Sequence, residues 1–141
     1  MRSTPFNSHI GALLQHNDLP TSDLEAGTEV LLFVAGSAQR PLGVVGLQVF
    51  GAAALLRSLA VAESERGKGL GSSLVRHAEQ QAAALGVSAL YLLTTTAQQY
   101  FAAHGYQVAN RLEAPAAIAA SSQFSGLCPS SSAFMVKELR A

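Results

Sequence analysis

The sequence predicts a mixed α/β domain built on one sheet, and three observations point that way. Apolar runs of strand length alternate with stretches of helical spacing along the 141 residues. A strand-like run, a glycine-rich turn and a long helical stretch follow one another directly in "LAVAESERGKGLGSSLVRHAEQQAAALG". The length, with 49% apolar and 13% charged residues, fits one domain over residues 1–141 that buries its own core.

Taken in order, Ser8 is placed to cap a first helix whose Ile10, Leu13 and Leu14 share a face. "NDLP" breaks that pattern, and "TSDLEAG" reads as a short second helix or turn. "TEVLLFVAG" and "LGVVGLQVF" are strands joined by "SAQRP", an antiparallel hairpin. "AAALLRSLAVA" is a third apolar run, too short and too β-branched at its end for a helix. After the glycine loop, Leu74, Val75, Ala78, Ala82 and Leu85 recur with helical spacing, and Gly86 is suited to end that helix. "SALYLLTT" is a strand, "AQQYFAAHGY" a short helix closed by Gly105, and "YQVAN" a further short strand. "APAAIAASSQFSGLCP" is Ala/Ser-rich, with Pro115 suited to a first helical turn, and "SSAFMVKEL" is the last strand.

Composition excludes several roles. Nine cations balance nine carboxylates, so the basic excess of a nucleic-acid binder is missing. "VLLFVA" is the longest apolar run, far below the roughly 20 residues that cross a bilayer, and the N-terminal stretch has no signal-peptide core. The expectation is a soluble protein with no membrane partner. Cys128 is the single cysteine, which rules out an internal disulfide and suggests a reduced, cytoplasmic setting. Four scattered histidines and that cysteine give no metal-ligand spacing.

Gly67, Gly69 and Gly71, with Arg66 and Lys68 among them, would ruin a helix but suit an anion. Backbone N–H groups at a helix start point outward, the helix dipole favours negative charge there, and glycine lets a phosphate approach the backbone closely. The loop therefore reads as a phosphate holder. It is not a Walker loop, which needs Gly-Lys-Ser/Thr, nor a dinucleotide fingerprint, since the spacing is G-x-G-x-G and no acidic residue follows about 20 positions on.

"LAVAESERGKGLGSSLV" resembles the acetyl-CoA signature of the GNAT N-acetyltransferase superfamily, V-x-P-x-x-R/Q-G-x-G-x-G/A followed by a helix. Val61, Arg66, Gly67, Gly69 and Gly71 match in register, while Glu63 stands where proline is common. The succession of elements extends the likeness over nearly the whole chain. The resemblance implies the GNAT fold: a single mixed, mostly antiparallel sheet, splayed at the cofactor site, with helices on both faces. It implies that the amides of Arg66, Gly67, Lys68, Gly69, Leu70, Gly71 and Ser72 cradle the pyrophosphate of coenzyme A. The N–H of Leu59 would polarise the thioester carbonyl, and Val61 would pair with the pantetheine arm through its backbone. "RSLAV" would part from "ALYLLTT" to admit that arm. Acetyl-CoA is then the co-substrate, no metal is needed, and the partner is a small-molecule amine. A homodimer remains open.

The sequence departs from the family at the leaving group. Many relatives carry tyrosine four residues before the glycine that closes the short helix, and here Phe101 stands there. Tyr100 is one position off, about 100° around the helix, and reads either as a general acid from a shifted register or as a packing residue. Glu63, Glu113 and His104 are the nearby candidates for a general base, and none stands out. Arg57 would share a face with Leu55, Leu59 and Val61 by strand alternation. Two readings of it stand: a fork onto an oxyanion of the substrate, or a structural pair with a carboxylate such as Glu29 or Glu79.

"LLRSLAV…RGKGLG" with "EAPAAIAASSQFSGLCPSSSAFMVKEL" is similar to small acetyltransferases associated with bacterial arsenic-resistance operons, and the "RSLAV" strand to acetylglutamate-forming transferases. These likenesses imply an amino-acid-like acceptor bearing an amine and an acid. Cys128 reads as a small buried hydrophobe rather than an arsenic ligand. Two rival functions stand beside the enzyme: an acyl-CoA-binding sensor without turnover, and a nucleotide module using the same loop.

Overall fold

The structure is a computed structural model that describes residues 1–27, 29–121, 124 and 132–139. Its strands run β1 (Arg2–Thr4), β2 (Leu31–Gly36), β3 (Pro41–Phe50), β4 (Ala53–Val61), β5 (Ala89–Thr94), β6 (Gln107–Val108) and β7 (Ala133–Glu138). Its helices are α1 (Ser8–His16), α2 (Ser22–Glu25), α3 (Leu70–Ala84), α4 (Gln98–Ala103) and α5 (Ala116–Ala119). The seven strands form one open, mixed sheet in the order β1-β2-β3-β4-β5-β7-β6. The chain gathers into two compact units, residues 1–48 with 56–81 and residues 49–55 with 82–141.

In the first unit the expected hairpin is present, with β2 and β3 antiparallel from Leu31 opposite Leu47 to Ala35 opposite Gly43. β1 was not legible beforehand: Arg2, Ser3 and Thr4 are polar, yet they pair with Val34, Phe33 and Leu32 along the open edge of β2. Register sends Leu32 and Val44 to one face, where they bury against Ile10, Leu14 and Leu24 of α1 and α2. Phe33 and Gly43 point the other way, toward α3. The Phe33 ring meets His77 edge-on at 4.9 Å, and a Cβ at Gly43 would stand 2.8 Å from Leu74. Helices thus cover both faces of this part of the sheet.

Local capping explains where the helices begin and end. The cap of α1 is Asn7 rather than Ser8: the Ile10 N–H donates to Asn7 Oδ1 at 2.8 Å, and Ser8 is already helical. α3 buries Leu74, Val75, Ala78 and Ala82 completely, as their spacing predicts. Leu85 does not join them. α3 ends at Ala84, Gly86 turns left-handed at φ 86°, and the Val87 N–H bonds Ala82 O, so Val87 takes the buried place and Leu85 stays 55% exposed.

In the second unit, β4 and β5 run parallel through Ala53–Ala89, Ala54–Leu90 and Leu55–Tyr91, and β5 pairs antiparallel with β7 along its length. Leu55, Ile118 and Phe134 form its core, with Tyr91 stacked on Phe134 at 5.3 Å. α4 closes as expected at Gly105, φ 91°. Pro115 caps α5 from outside rather than opening its first turn. Cys128 lies outside the described residues.

Candidate acyl-donor site

The glycine loop sits in the first unit between β4 and α3. After β4 the chain makes a tight turn over Glu63–Glu65, extends at Arg66, and enters α3 at Leu70. Gly67 and Gly69 adopt φ 78° and 79°, backbone that costs an L side chain about 1–2 kcal/mol. A Cβ at either would find no protein atom within 4 Å, so these glycines serve the backbone turn and leave space in front of it. The Gly69 carbonyl accepts the first helical hydrogen bond, from Ser73 N–H at 3.1 Å, which makes Gly69 the cap. The amides of Leu70 and Gly71 then open a helix of 15 residues, where an intrahelical acceptor is lacking by geometry and the dipole is positive. Gly71 is helical, so the turn itself does not require it. Its missing side chain suits close approach of a ligand instead.

The two cations differ. Arg66 is exposed but anchored, its Nη2 donating to Asn17 Oδ1 at 2.8 Å, and Asn17 is in turn tied to the end of α1 through Leu13 O at 2.9 Å. Lys68 lies 3.6 Å from Glu65 with its side chain 64% exposed, a contact that contributes little and leaves the ammonium at the rim.

β4 carries the second part of the site. Arg57 is buried, and its guanidinium forks onto Asp23 of α2, Nη1 to Oδ2 and Nη2 to Oδ1, the latter at 2.8 Å. Its Nε donates to Ser58 Oγ at 3.2 Å. The carboxylate Arg57 meets is therefore Asp23, neither Glu29 nor Glu79. Burial pushes the Asp23 carboxyl up, but the hydrogen bond and charge of Arg57, with the Leu24 amide, outweigh it and hold the group below its ordinary 3.8.

Strict alternation along β4 fails at Ser58, which has φ 57°. Arg57 reaches α2, and Ala60, three residues on, packs with Leu24 of α2 and with Ile10 and Leu14 of α1. An odd spacing on one face requires a slip of one residue, and the left-handed Ser58 supplies it as a bulge. Arg57 therefore does not share a face with Leu59 and Val61, both half-buried.

Leu59, Val61 and residues 66–72 all belong to the first unit; Tyr100 belongs to the second. Tyr100 is 37% exposed, its ring 5.3 Å from Phe101 and 4.8 Å from His104, while Phe101 is buried against Tyr106. The offset of one residue in α4 thus turns the hydroxyl-bearing ring outward and the plain ring inward. Glu63 and Glu113 are exposed in tight turns, and His104 caps α4, its carbonyl accepting from Lys137 Nζ at 2.8 Å. Among the described residues no cluster of His, Cys, Asp or Glu is fit to hold a metal, and no helix is long and apolar enough to cross a membrane.

Asp23, Ser58 and Asn17 are the site-associated residues that the sequence reading missed. Asp23 and Arg57 are 34 positions apart and Asn17 and Arg66 are 49 apart, separations at which no local pattern operates. A serine inside an apolar strand was the one available sign of the bulge.

The family model described as "Acetyltransferase (GNAT) family" matches residues 5–107. Among solved structures, the chain is similar to N-acetylglutamate synthase from Neisseria gonorrhoeae complexed with coenzyme A and N-acetyl-glutamate, with a TM-score of 0.81 and 21% identity over 99% of the chain. It spans only 35% of that protein's length. It is also similar to an acetyltransferase of the GNAT family from Staphylococcus aureus Mu50, with a TM-score of 0.74, 16% identity and 99% of each chain covered. An aminoglycoside 6'-N-acetyltransferase complexed with coenzyme A aligns over 100% of this chain and 98% of its own, with a TM-score of 0.69 and 16% identity. No curated protein sequence matches.

Proposed function

The chain belongs to the GNAT acetyltransferase family, and from that premise we propose that it moves an acetyl group from acetyl-CoA to the amine of a small, amino-acid-like acceptor. The observation that carries this reading is the loop before α3, where Gly67 and Gly69 in left-handed backbone turn the chain into a helix start with open space before it. Amides from Arg66 to Ser72 hold the pyrophosphate, with Lys68 at the rim adding charge and Arg66 braced by Asn17. The Leu59 N–H faces the oxygen of the thioester carbonyl and strengthens its bond as that oxygen gains charge. Val61 pairs with the pantetheine amides through its backbone.

In the transfer, the free-base amine attacks the carbonyl carbon. A C–N bond forms, the C–S bond breaks, and the amine's proton passes to solvent while coenzyme A leaves as thiolate. A thiol of ordinary pKa near 8.5 departs with little help, so Tyr100 is assigned at most a minor role. None of Glu63, Glu113 or His104 is assigned the base. An amino-acid-like acceptor draws support from the likeness to N-acetylglutamate synthase, whose solved structure holds N-acetyl-glutamate. The arsenic-linked subgroup rests on residues 113–139 together with "LLRSLAV" and "RGKGLG", and the first of these stretches includes positions outside those described.

The test is release of free thiol from acetyl-CoA across a panel of amino acids, aminoglycosides, and phosphonate and arsenical amino-acid analogues, with the acetylated product identified by mass. Acceptor-dependent thiol release with an N-acetyl product is expected. Binding of acetyl-CoA without any acceptor-dependent release would favour the sensor reading instead.

A further inference from the structure

We propose that the buried Asp23–Arg57 pair is a positioning device that sets the direction of the Leu59 N–H. This inference rests on the assignment of that N–H as the carbonyl donor. The direction of the Leu59 N–H is fixed by the plane of the Ser58–Leu59 peptide, and that plane turns with the backbone dihedrals of Ser58. Ser58 stands at φ 57°, backbone an L residue leaves unless its surroundings hold it there. Two contacts hold it. Asp23 on α2 takes both terminal nitrogens of Arg57, the residue immediately before Ser58. The Arg57 Nε grips Ser58 Oγ at 3.2 Å. Gly46 of β3 leaves room for Arg57, since a Cβ there would stand 3.1 Å from the Arg57 carbonyl oxygen and 3.2 Å from its Cγ.

Asp23 thus reaches the bulge through one side chain and one peptide. Its side chain is only 6% exposed and that of Arg57 only 1%, so the fork is held almost entirely out of solvent. A pair kept for stability alone would be replaceable by apolar residues of similar volume. A pair kept to aim a backbone donor would not be.

The experiment compares Asp23→Asn, Arg57→Lys and the double variant Asp23→Leu/Arg57→Met. Each is measured for Tm, acetyl-CoA Kd, kcat and the amide shift of Leu59 in a nitrogen-labelled sample. The single variants melt lower, and the double variant recovers the lost Tm because no charge is left buried unpaired. The proposal expects kcat to fall by roughly 100-fold in all three, the scale of a misaimed oxyanion donor. Kd should stay within about threefold, since the donor acts mainly on charge that develops in the transition state. The Leu59 amide shift should move in the double variant as well. Recovery of kcat together with Tm in the double variant would overturn the proposal and leave the pair a purely structural one. If the unmodified chain transfers no acetyl group, the functional reading fails by itself. The Leu59 amide then still decides the positioning claim: an unmoved shift in the folded double variant refutes it.

Discussion

Replacing Gly69 separates the backbone role of the loop from its electrostatic one. Gly69 stands at φ 79° with nothing within 4 Å of where a Cβ would project. Gly69→Asn and Gly69→Asp therefore meet no clash and suffer mainly the left-handed backbone, about 1–2 kcal/mol, a little less for these two residues, which tolerate that region best. For a chain of this size that lowers Tm by about 3–8 °C in each, and the two variants should melt together. The ligand tells them apart. A carboxylate about 4 Å from one phosphate charge costs roughly 1 kcal/mol in water-like surroundings and roughly 4 kcal/mol at the effective dielectric of a protein surface. Gly69→Asp should thus bind acetyl-CoA about 5- to 1,000-fold more weakly than Gly69→Asn, and the gap should narrow as salt rises. Calorimetric titration at low and high salt gives both numbers. Equal affinity in the two variants at low salt would refute the claim that this loop faces phosphate.

Other perturbations bear on neighbouring parts of the account. Burial and, after it, the positive chain N-terminus lower the His77 pKa below its ordinary 6.5, so the unfolded chain takes up this proton at higher pH than the folded one. Stability from this residue is complete above about pH 6.5 and is lost as pH falls below it. Thermal melts of the native chain and of His77→Phe at pH 7.5 and 5.5 should show a smaller acid loss in the variant, whose ring still meets Phe33; equal losses would contradict the assignment. Tyr100→Phe should leave kcat within about threefold, because the ring is turned outward and the thiolate leaves readily; a loss of about 100-fold would make Tyr100 the general acid. Ser58→Val should destabilise by about 2 kcal/mol or more, since a β-branched residue fits left-handed backbone poorly, whereas Ser58→Gly should stay within about 1 kcal/mol as relief of strain offsets the lost bond to Arg57. Chemical denaturation measures both, and equal losses would argue against the bulge.

The periodic features of this fold were legible because they are local. The apolar face of α3, the β2–β3 hairpin and the turn through Gly86 each follow from residues within a few positions of one another. β1 escaped because Arg2, Ser3 and Thr4 have no strand character of their own and take it from the exposed edge of β2. Leu85 was misplaced because spacing alone does not say where a helix stops, and α3 ends at Ala84, one residue short of Leu85. The glycine loop was readable as a loop, since three glycines and two cations between a strand and a helix suit few other purposes. The surroundings of Arg57 were not. A lone cation in an apolar strand announces that a partner exists without naming it, and Asp23 comes from a four-residue helix with no strong pattern. The slip at Ser58 then undid the alternation on which the face assignment of Leu59 and Val61 depended.

On the proposed reading, the loop from Arg66 to Ser72 holds the pyrophosphate of acetyl-CoA. Side-by-side calorimetric titration of the purified chain with acetyl-CoA, ATP and NAD tests it most directly. Stoichiometric binding of acetyl-CoA is expected, displaced by free coenzyme A and unaffected by the two nucleotides at equal concentration. Binding of ATP or NAD as tight as that of acetyl-CoA, or no binding of acetyl-CoA at all, would contradict it.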